Sequence, residues 1–191
     1  MDSKKIIADA FRELARSTPI DKISVAAISR EAGLSRQVFY SYFIDKFDLS
    51  IRIYEVEFAP IAQKHRDGVM TWNESGIEHL NIYARDPDYY RNVLSSFDPA
   101  GLRSHLTKRM RDEFKYKCER RGAVFDNEEM DYALRAVVGT INELTYAWIN
   151  RGCPEPPEEL VRRFDLCRPF ILAPYLEDTD STTAQDIARD R

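Results

Sequence analysis

The chain has 191 residues, of which 43% are apolar and 31% are charged, and its formal net charge at neutral pH is -4. That length is typical of one core domain with at most a small additional unit, and it is sufficient to bury a substantial hydrophobic core. No apolar run approaches the ~18 residues of a membrane-spanning helix, and charged residues interrupt the first helical segment where a secretory signal would be apolar. We therefore expect a cytoplasmic protein that does not contact membranes.

Charge is distributed unevenly along the chain. Residues 1–46 contain eight Lys and Arg against six Asp and Glu, whereas the remainder is acidic. A basic N-terminal part on an acidic body favours an N-terminus that binds a polyanion.

Neither catalysis nor cofactor binding is predicted. The sequence contains no Gly-x-Ser-x-Gly, P-loop, Gly-x-Gly-x-x-Gly or His-Glu-x-x-His motif, and His65, His79 and His105 lack partners at metal-ligand spacing. Its three cysteines are widely spaced, which excludes a disulfide framework. We expect reduced thiols that pack as small apolar side chains, with redox sensing as the alternative.

The first predicted helix covers residues 4–16, where apolar residues repeat at helical spacing. Thr18-Pro19 ends it, because proline disfavours helical geometry in the residue before it. Ser24 is the predicted N-cap of a short second helix that reaches Glu31, and Gly33 is its natural stop.

Ser35 is the predicted N-cap of a third helix, Arg36 to Phe43, and Asp45 of a long fourth one, which Pro60 is expected to kink or end. The rest of the chain is expected to be helical at 75–85, 87–97, 100–121, from a cap at Asp126 to a stop at Gly152, and at 158–173. We therefore predict an all-α protein with three parts: a three-helix domain at 1–48, a larger helical domain at 49–176, and a polar, disordered tail at 177–191.

The second and third helices, joined by Ala32-Gly33-Leu34, have the spacing of a helix-turn-helix motif. In such a motif the later of the two helices, here the third helix of the chain, lies in the DNA major groove. Arg36 can pair with guanine and Gln37 with adenine, and Val38 can touch a thymine methyl group.

Phosphate contacts are predicted around these base contacts. Tyr40, Ser41 and Tyr42 offer hydroxyl groups, while Lys46 and the amides that follow Ser24 lie at helix N-termini, which attract anions. Two other interpretations remain: an exposed polar face on an ordinary helix hairpin, and an aromatic platform that stacks single-stranded bases.

The segment from Ile23 to Leu49 resembles the N-terminal domain of the TetR/AcrR family of bacterial transcriptional regulators. The likeness is carried by a Ser-Arg-x-x-Phe-Tyr-x-x-Phe-x-x-Lys core that begins at Ser35, and it extends over about residues 4–52. The resemblance implies a capping role for Ser35 and core positions for Phe39 and Phe43. It also implies phosphate contacts at Tyr40, Tyr42 and Lys46, and base contacts at Arg36, Gln37, Val38 and Ser41. Val38 departs from the family pattern, in which Thr or Ser is common, so its contact would be apolar.

The resemblance also implies that the larger domain senses a ligand and forms a dimer. Its aromatic residues suggest a pocket for an apolar or planar effector, with plain core packing as the alternative. The predicted pocket residues are Tyr83, Tyr90, His105, Met110 and Tyr132. The last two long helices are apolar over a wide arc, which predicts a four-helix interface in a symmetric homodimer. The predicted interface residues are Val138, Ile141, Thr145, Trp148, Phe164, Cys167 and Ile171.

These features predict a dimeric regulator, with repression as the expected sign, that binds a palindromic operator in double-stranded DNA and is controlled by an unidentified small molecule. The alternative is a sensor or coactivator of the same fold that binds another protein instead of DNA.

Overall fold

The computed structural model describes residues 2–167 and 169–176, and every long regular element in that part of the chain is an α-helix. The all-α prediction is therefore confirmed. A single 3-10 turn, Ile20–Lys22, separates the first two helices. The helices are α1 (Ser3–Ser17), α2 (Val25–Glu31), α3 (Arg36–Tyr40), α4 (Lys46–Arg66), α5 (Trp72–Arg85), α6 (Pro87–Val93), α7 (Leu102–Arg120), α8 (Glu128–Asn150), α9 (Pro157–Asp165) and α10 (Ala173–Leu176).

The predicted N-caps of the first domain are confirmed. The Ser24 hydroxyl accepts a hydrogen bond from the amide of Ala27, and the Ser35 hydroxyl accepts one from Val38. The carboxylate of Asp45 accepts from two amides in the first turn of α4. Each bond satisfies a donor that a helix N-terminus otherwise leaves unpaired.

One predicted helix end in this part of the chain is wrong. Helix α3 ends at Tyr40 rather than Phe43, because the Ser41 hydroxyl donates to the Val38 carbonyl oxygen at 2.7 Å and turns the chain. Of the two outcomes expected at Pro60, a kink or an end, the end is excluded, because helix α4 continues through Pro60 to Arg66. Pro60 is exposed, as is Val56 one turn before it, so water can satisfy the carbonyl that loses its helical bond.

Helix boundaries in the larger domain also differ from the sequence pattern. Helix α5 begins earlier than expected, because Thr71 and Glu74 form a capping box. Helix α8 is capped by Asn127, not Asp126. The segment predicted at 158–173 divides into α9 and α10, since Pro169 cannot continue the hydrogen-bond ladder of α9.

The buried core is continuous across the predicted domain boundary at 48/49, which falls in the first turn of α4. One apolar cluster extends from Ile7 and Phe11 in α1, through Phe58 in α4, to Trp148 in α8. A second cluster joins α7, α8 and α10 around Leu134. Helix α1 packs against α2 and α3 on one side and α6 on the other, so it connects the N-terminal helices to the rest of the protein. The predicted tail at 177–191 lies outside the described residues.

Candidate DNA-binding surface

The turn between α2 and α3 fixes the orientation of the short third helix. Gly33 has a φ of +65°, a left-handed conformation that residues with a side chain rarely adopt. The Leu34 amide then donates to the Ser29 carbonyl oxygen at 2.9 Å, which closes the turn directly before the Ser35 cap. A short turn that contains glycine is typical of a helix-turn-helix motif.

Buried aromatic residues hold the inner face of α3. The Phe39 side chain is fully buried, and its ring centroid lies 5.6 Å from that of Phe43. On the opposite face, Arg36 and Gln37 are exposed, and Tyr40 is 58% exposed. Helix α3 therefore presents the three polar side chains to solvent on a rigid support.

The remaining candidate contacts differ in accessibility. Tyr42 is 43% exposed and Ser24 is exposed, but Val38 is half-buried and packs against the core. The Ser41 hydroxyl uses its proton on the Val38 carbonyl, which leaves its oxygen as an acceptor only. A direct donor bond from Ser41 to phosphate would therefore require this local bond to break.

Lys46 has a structural partner that the sequence pattern does not reveal. Its ammonium group donates to the carbonyl oxygens of Asp21 and Ile23, both at 3.0 Å. These carbonyls lie on the segment that leads into α2, so Lys46 links the start of α4 to the start of the helix-turn-helix motif. An ammonium group has three donors, and one remains for a phosphate.

We expect Lys46→Ala to reduce both the stability of the domain and its affinity for every duplex. Loss of two charge-assisted bonds should cost about 1–3 kcal/mol in the free energy of unfolding. If Lys46 also contacts a phosphate, the slope of log K against log salt should fall by about 1. Thermal unfolding and binding at several salt concentrations measure the two effects separately, and an unchanged salt slope would restrict Lys46 to its structural role.

The predicted pocket residues do not surround one cavity. Tyr83 and Tyr90 are buried with ring centroids 4.7 Å apart, and Met110 packs against the second apolar cluster. His105 is half-buried in a surface groove between α4 and α7. Tyr132 is 72% exposed on the outer face of α8, so its assignment to an interior pocket is wrong.

A small apolar cavity lies between α5, α7, α8 and α9. Its volume is about 60 Å³, and its apolar lining includes Trp72, Phe114 and Ile141. Pockets that hold drug-sized ligands are typically about 300–1,000 Å³. In this conformation the cavity is therefore too small for such an effector.

The residues predicted for the dimer interface fall on two faces of the structure. Val138, Thr145 and Trp148 are buried within the chain itself, so this part of the prediction is corrected: α8 packs chiefly against α7 and α6 of the same chain. Ile141, Phe164 and Cys167 are half-buried, whereas Ile171 is 42% exposed. The outward face of α8, which the sequence pattern did not single out, carries Tyr132, Ala136, Gly139, Glu143 and Ala147.

Within residues 2–167 and 169–176, no group of three or more His, Cys, Asp or Glu side chains is arranged to hold a metal ion. The three cysteines are free, and burial raises the pKa of the Cys153 thiol to about 11. At neutral pH that thiol stays protonated and is a poor nucleophile. None of the helices described is long and apolar enough to cross a membrane.

Comparison with known proteins identifies both parts of the chain. Residues 7–53 match the family model described as bacterial regulatory proteins, tetR family, and residues 70–166 match a model described as transcriptional regulator C-terminal region. Over 91 residues the chain is 38% identical to the HTH-type dhaKLM operon transcriptional activator DhaS of Lactococcus lactis, a match that covers 48% of each protein. The matched region thus spans about half the length of that relative.

Two solved structures have the same fold. The structure of the dihydroxyacetone kinase operon activator DhaS matches with a TM-score of 0.59 at 23% identity, over 85% of this chain and 92% of that one. The fatty acid degradation regulator FadR from Bacillus halodurans matches with a TM-score of 0.58 at 16% identity, over 86% and 93%. The matched proteins are regulators of transcription. Together with the solvent-facing recognition helix, these matches establish that the chain belongs to the TetR family of DNA-binding bacterial transcriptional regulators.

Proposed function

We propose that the protein is a homodimer that binds a palindromic operator, with one α3 helix in each of two successive major grooves. Arg36 and Gln37 would read base edges, and Ser24, Tyr40, Tyr42 and Lys46 would contact phosphates. The observation that carries this proposal is the exposure of Arg36, Gln37 and Tyr40 on a helix whose opposite side is fixed by the buried Phe39.

Binding to the promoter region of its own gene tests the proposal. Full-length protein should bind one segment of that region more tightly than a random duplex of equal length, and affinity should fall as salt rises. No preference at any salt concentration would contradict operator binding and would favour the alternative of a sensor that acts through another protein.

The control of this binding by a small molecule is also a proposal. The interior of the larger domain is rich in packed aromatic rings: the Phe58 ring stacks on that of Tyr54 with centroids 4.1 Å apart and lies 5.4 Å from the tilted ring of Tyr83. These rings fill the interior in this conformation, so an apolar or planar effector would bind by opening a space among them. A compound that both raises the melting temperature and changes operator affinity would support the proposal, because a ligand must bind two states differently to shift them.

The sign of regulation separates two candidate functions. The sequence resemblance favours repression, whereas the 38% identical relative is named as a transcriptional activator, which favours activation. A reporter fused to the bound promoter distinguishes them. Expression that rises when the regulator gene is deleted supports repression, and expression that falls supports activation.

We place the dimer interface on the outward face of α8 and on the apolar segment that follows α9. Leu166 is 79% exposed and Phe170 is 95% exposed, and both would be covered by a second copy. On α8, a Cβ atom added at Gly139 would meet no atom within 4 Å. The single chain therefore has room for a side chain at that position.

We expect Gly139→Arg to prevent dimerisation without unfolding the protein. The new side chain extends into solvent in the single chain, and replacing a mid-helix glycine favours the helix by up to about 1 kcal/mol. Gly139→Ala is the matched control and should remain dimeric. Light scattering coupled to size exclusion measures the mass; a Gly139→Arg variant that stays dimeric would move the interface elsewhere.

A further inference from the structure

A partly buried ionic cluster joins α1 to the larger domain. Arg12 of α1 donates one hydrogen bond to Asp86, the residue directly before α6, at 3.1 Å, and another to Glu57 of α4. Its guanidinium carbon lies 4.2 Å from the ring centroid of Tyr89 in α6. Arg16, one turn later, donates to the same Asp86 carboxylate at 3.1 Å.

The partners of Arg12 are themselves fixed. The Tyr90 hydroxyl donates to the other carboxylate oxygen of Glu57. Burial, followed by the charge of Glu57, raises the pKa of Tyr90, so the hydroxyl keeps the proton that it donates. Burial opposes ionisation of Asp86, but hydrogen bonds from Arg16 and Arg12 outweigh it and lower the pKa of that carboxyl. The Asp86 carboxylate is therefore charged at neutral pH.

The cluster holds the helix that contacts the helix-turn-helix motif, so it can affect the orientation of α3. Helix α1 packs against α2 and α3, so a change in the position of α1 would shift the helix-turn-helix motif as well. The Arg12 side chain is 21% exposed and that of Asp86 is 15% exposed, so water screens the ion pair weakly. Apolar contacts such as Phe11 against Tyr89 accompany it, but they lack the directionality of a guanidinium held between two carboxylates.

We propose that Arg12 is a positioning residue that sets the angle of the DNA-binding domain on the rest of the chain, and thereby the operator spacing that the dimer accepts. This inference rests on the proposed function as a dimeric operator-binding protein. In a dimer, one angle fixes the separation of the two α3 helices. A rigid joint rejects operators whose half-sites are displaced, whereas a loosened joint accepts them at a cost in affinity for the best one.

Arg12→Gln tests the inference, with Arg66→Gln as the matched control. Arg66 is exposed, and its hydrogen bond is to Gln63 of the same helix, so the control removes an equal charge without touching the joint. Each protein is titrated with four duplexes: the operator, the operator with one base pair inserted or removed between its half-sites, and a single half-site. One inserted base pair displaces a half-site by about 3.4 Å and also rotates it.

We expect the preference for the natural spacing to fall about tenfold in Arg12→Gln and to stay unchanged in Arg66→Gln. Half-site affinity should be equal in all three proteins, which a general loss of folded protein would not produce. Tyr90→Phe removes only the hydroxyl that holds Glu57, and it should lower the spacing preference in the same direction. If Arg12→Gln does not fold, Tyr90→Phe tests the inference in its place. An unchanged spacing preference in a folded joint variant would overturn the inference, whereas a wild-type protein that binds none of the duplexes would overturn the proposed function.

Discussion

Replacing Arg36 with alanine is expected to weaken operator binding by about 1–3 kcal/mol and to relax selectivity at a single base position in each half-site. Arg36 is the first residue of α3, directly after the Ser35 cap, and its side chain is exposed. A guanidinium group at that location can form two parallel hydrogen bonds with guanine. Alanine cannot replace those bonds, and it leaves the guanine acceptors without their protein partner.

Binding of the variant to a set of duplexes, each with one half-site position changed, measures both effects. Arg30→Ala is a suitable control, because Arg30 is an exposed arginine in the last turn of the adjacent helix α2. It removes the same charge from the domain and should affect all duplexes equally. If Arg36→Ala also weakens every duplex by the same factor, Arg36 contacts the DNA backbone and does not read a base.

The local features of the DNA-binding domain could be predicted because each depends on a few neighbouring residues. Ser24, Ser35 and Asp45 cap helices as expected, and Gly33 adopts the left-handed conformation of the turn. A cap is a bond between a side chain and an amide two or three residues later, so spacing in the sequence determines it. The same is true of the contrast between buried Phe39 and exposed Arg36, Gln37 and Tyr40 on the same helix.

Contacts between distant segments were not predictable in the same way. Nothing near Lys46 in the sequence indicates that its ammonium group meets the carbonyls of Asp21 and Ile23, about two dozen residues earlier. The pairing of Arg12 with Glu57 and Asp86 is equally remote along the chain. Both depend on how the helices pack, and periodicity within one helix contains no information about its neighbours.

The sequence of α8 also did not indicate which of its apolar sides faces the core. The helix is apolar over more than one face, so its sequence cannot distinguish the side that packs inside the chain from the side that a second copy would cover. In the structure the larger side chains, such as Val138 and Trp148, face the core, and small residues such as Gly139 face outward. The sequence-based interface therefore selected the bulky residues, and the proposed interface lies on the opposite side.

Replacing Trp148 with alanine is expected to destabilise the folded protein by about 3–5 kcal/mol. The Trp148 side chain is fully buried in the larger apolar cluster, and its indole N–H donates to the Glu155 carbonyl oxygen at 3.0 Å. Alanine would leave a cavity in that cluster and would also leave the Glu155 carbonyl oxygen without its donor. Trp148→Phe keeps most of the ring volume, so it should cost less, chiefly through the lost hydrogen bond.

Urea unfolding at one fixed protein concentration measures these free energies, since the apparent stability of a dimer depends on concentration. Val56→Ala is the control: it removes exposed apolar atoms from α4, outside the proposed interface, and surface substitutions usually change stability by no more than about 0.5 kcal/mol. We expect the two sides of α8 to have different roles. Substitution of Trp148 should lower the free energy of unfolding, whereas substitution on the face that carries Tyr132 should weaken association. If the Trp148→Ala variant keeps the wild-type free energy of unfolding but becomes monomeric, Trp148 belongs to the dimer interface after all.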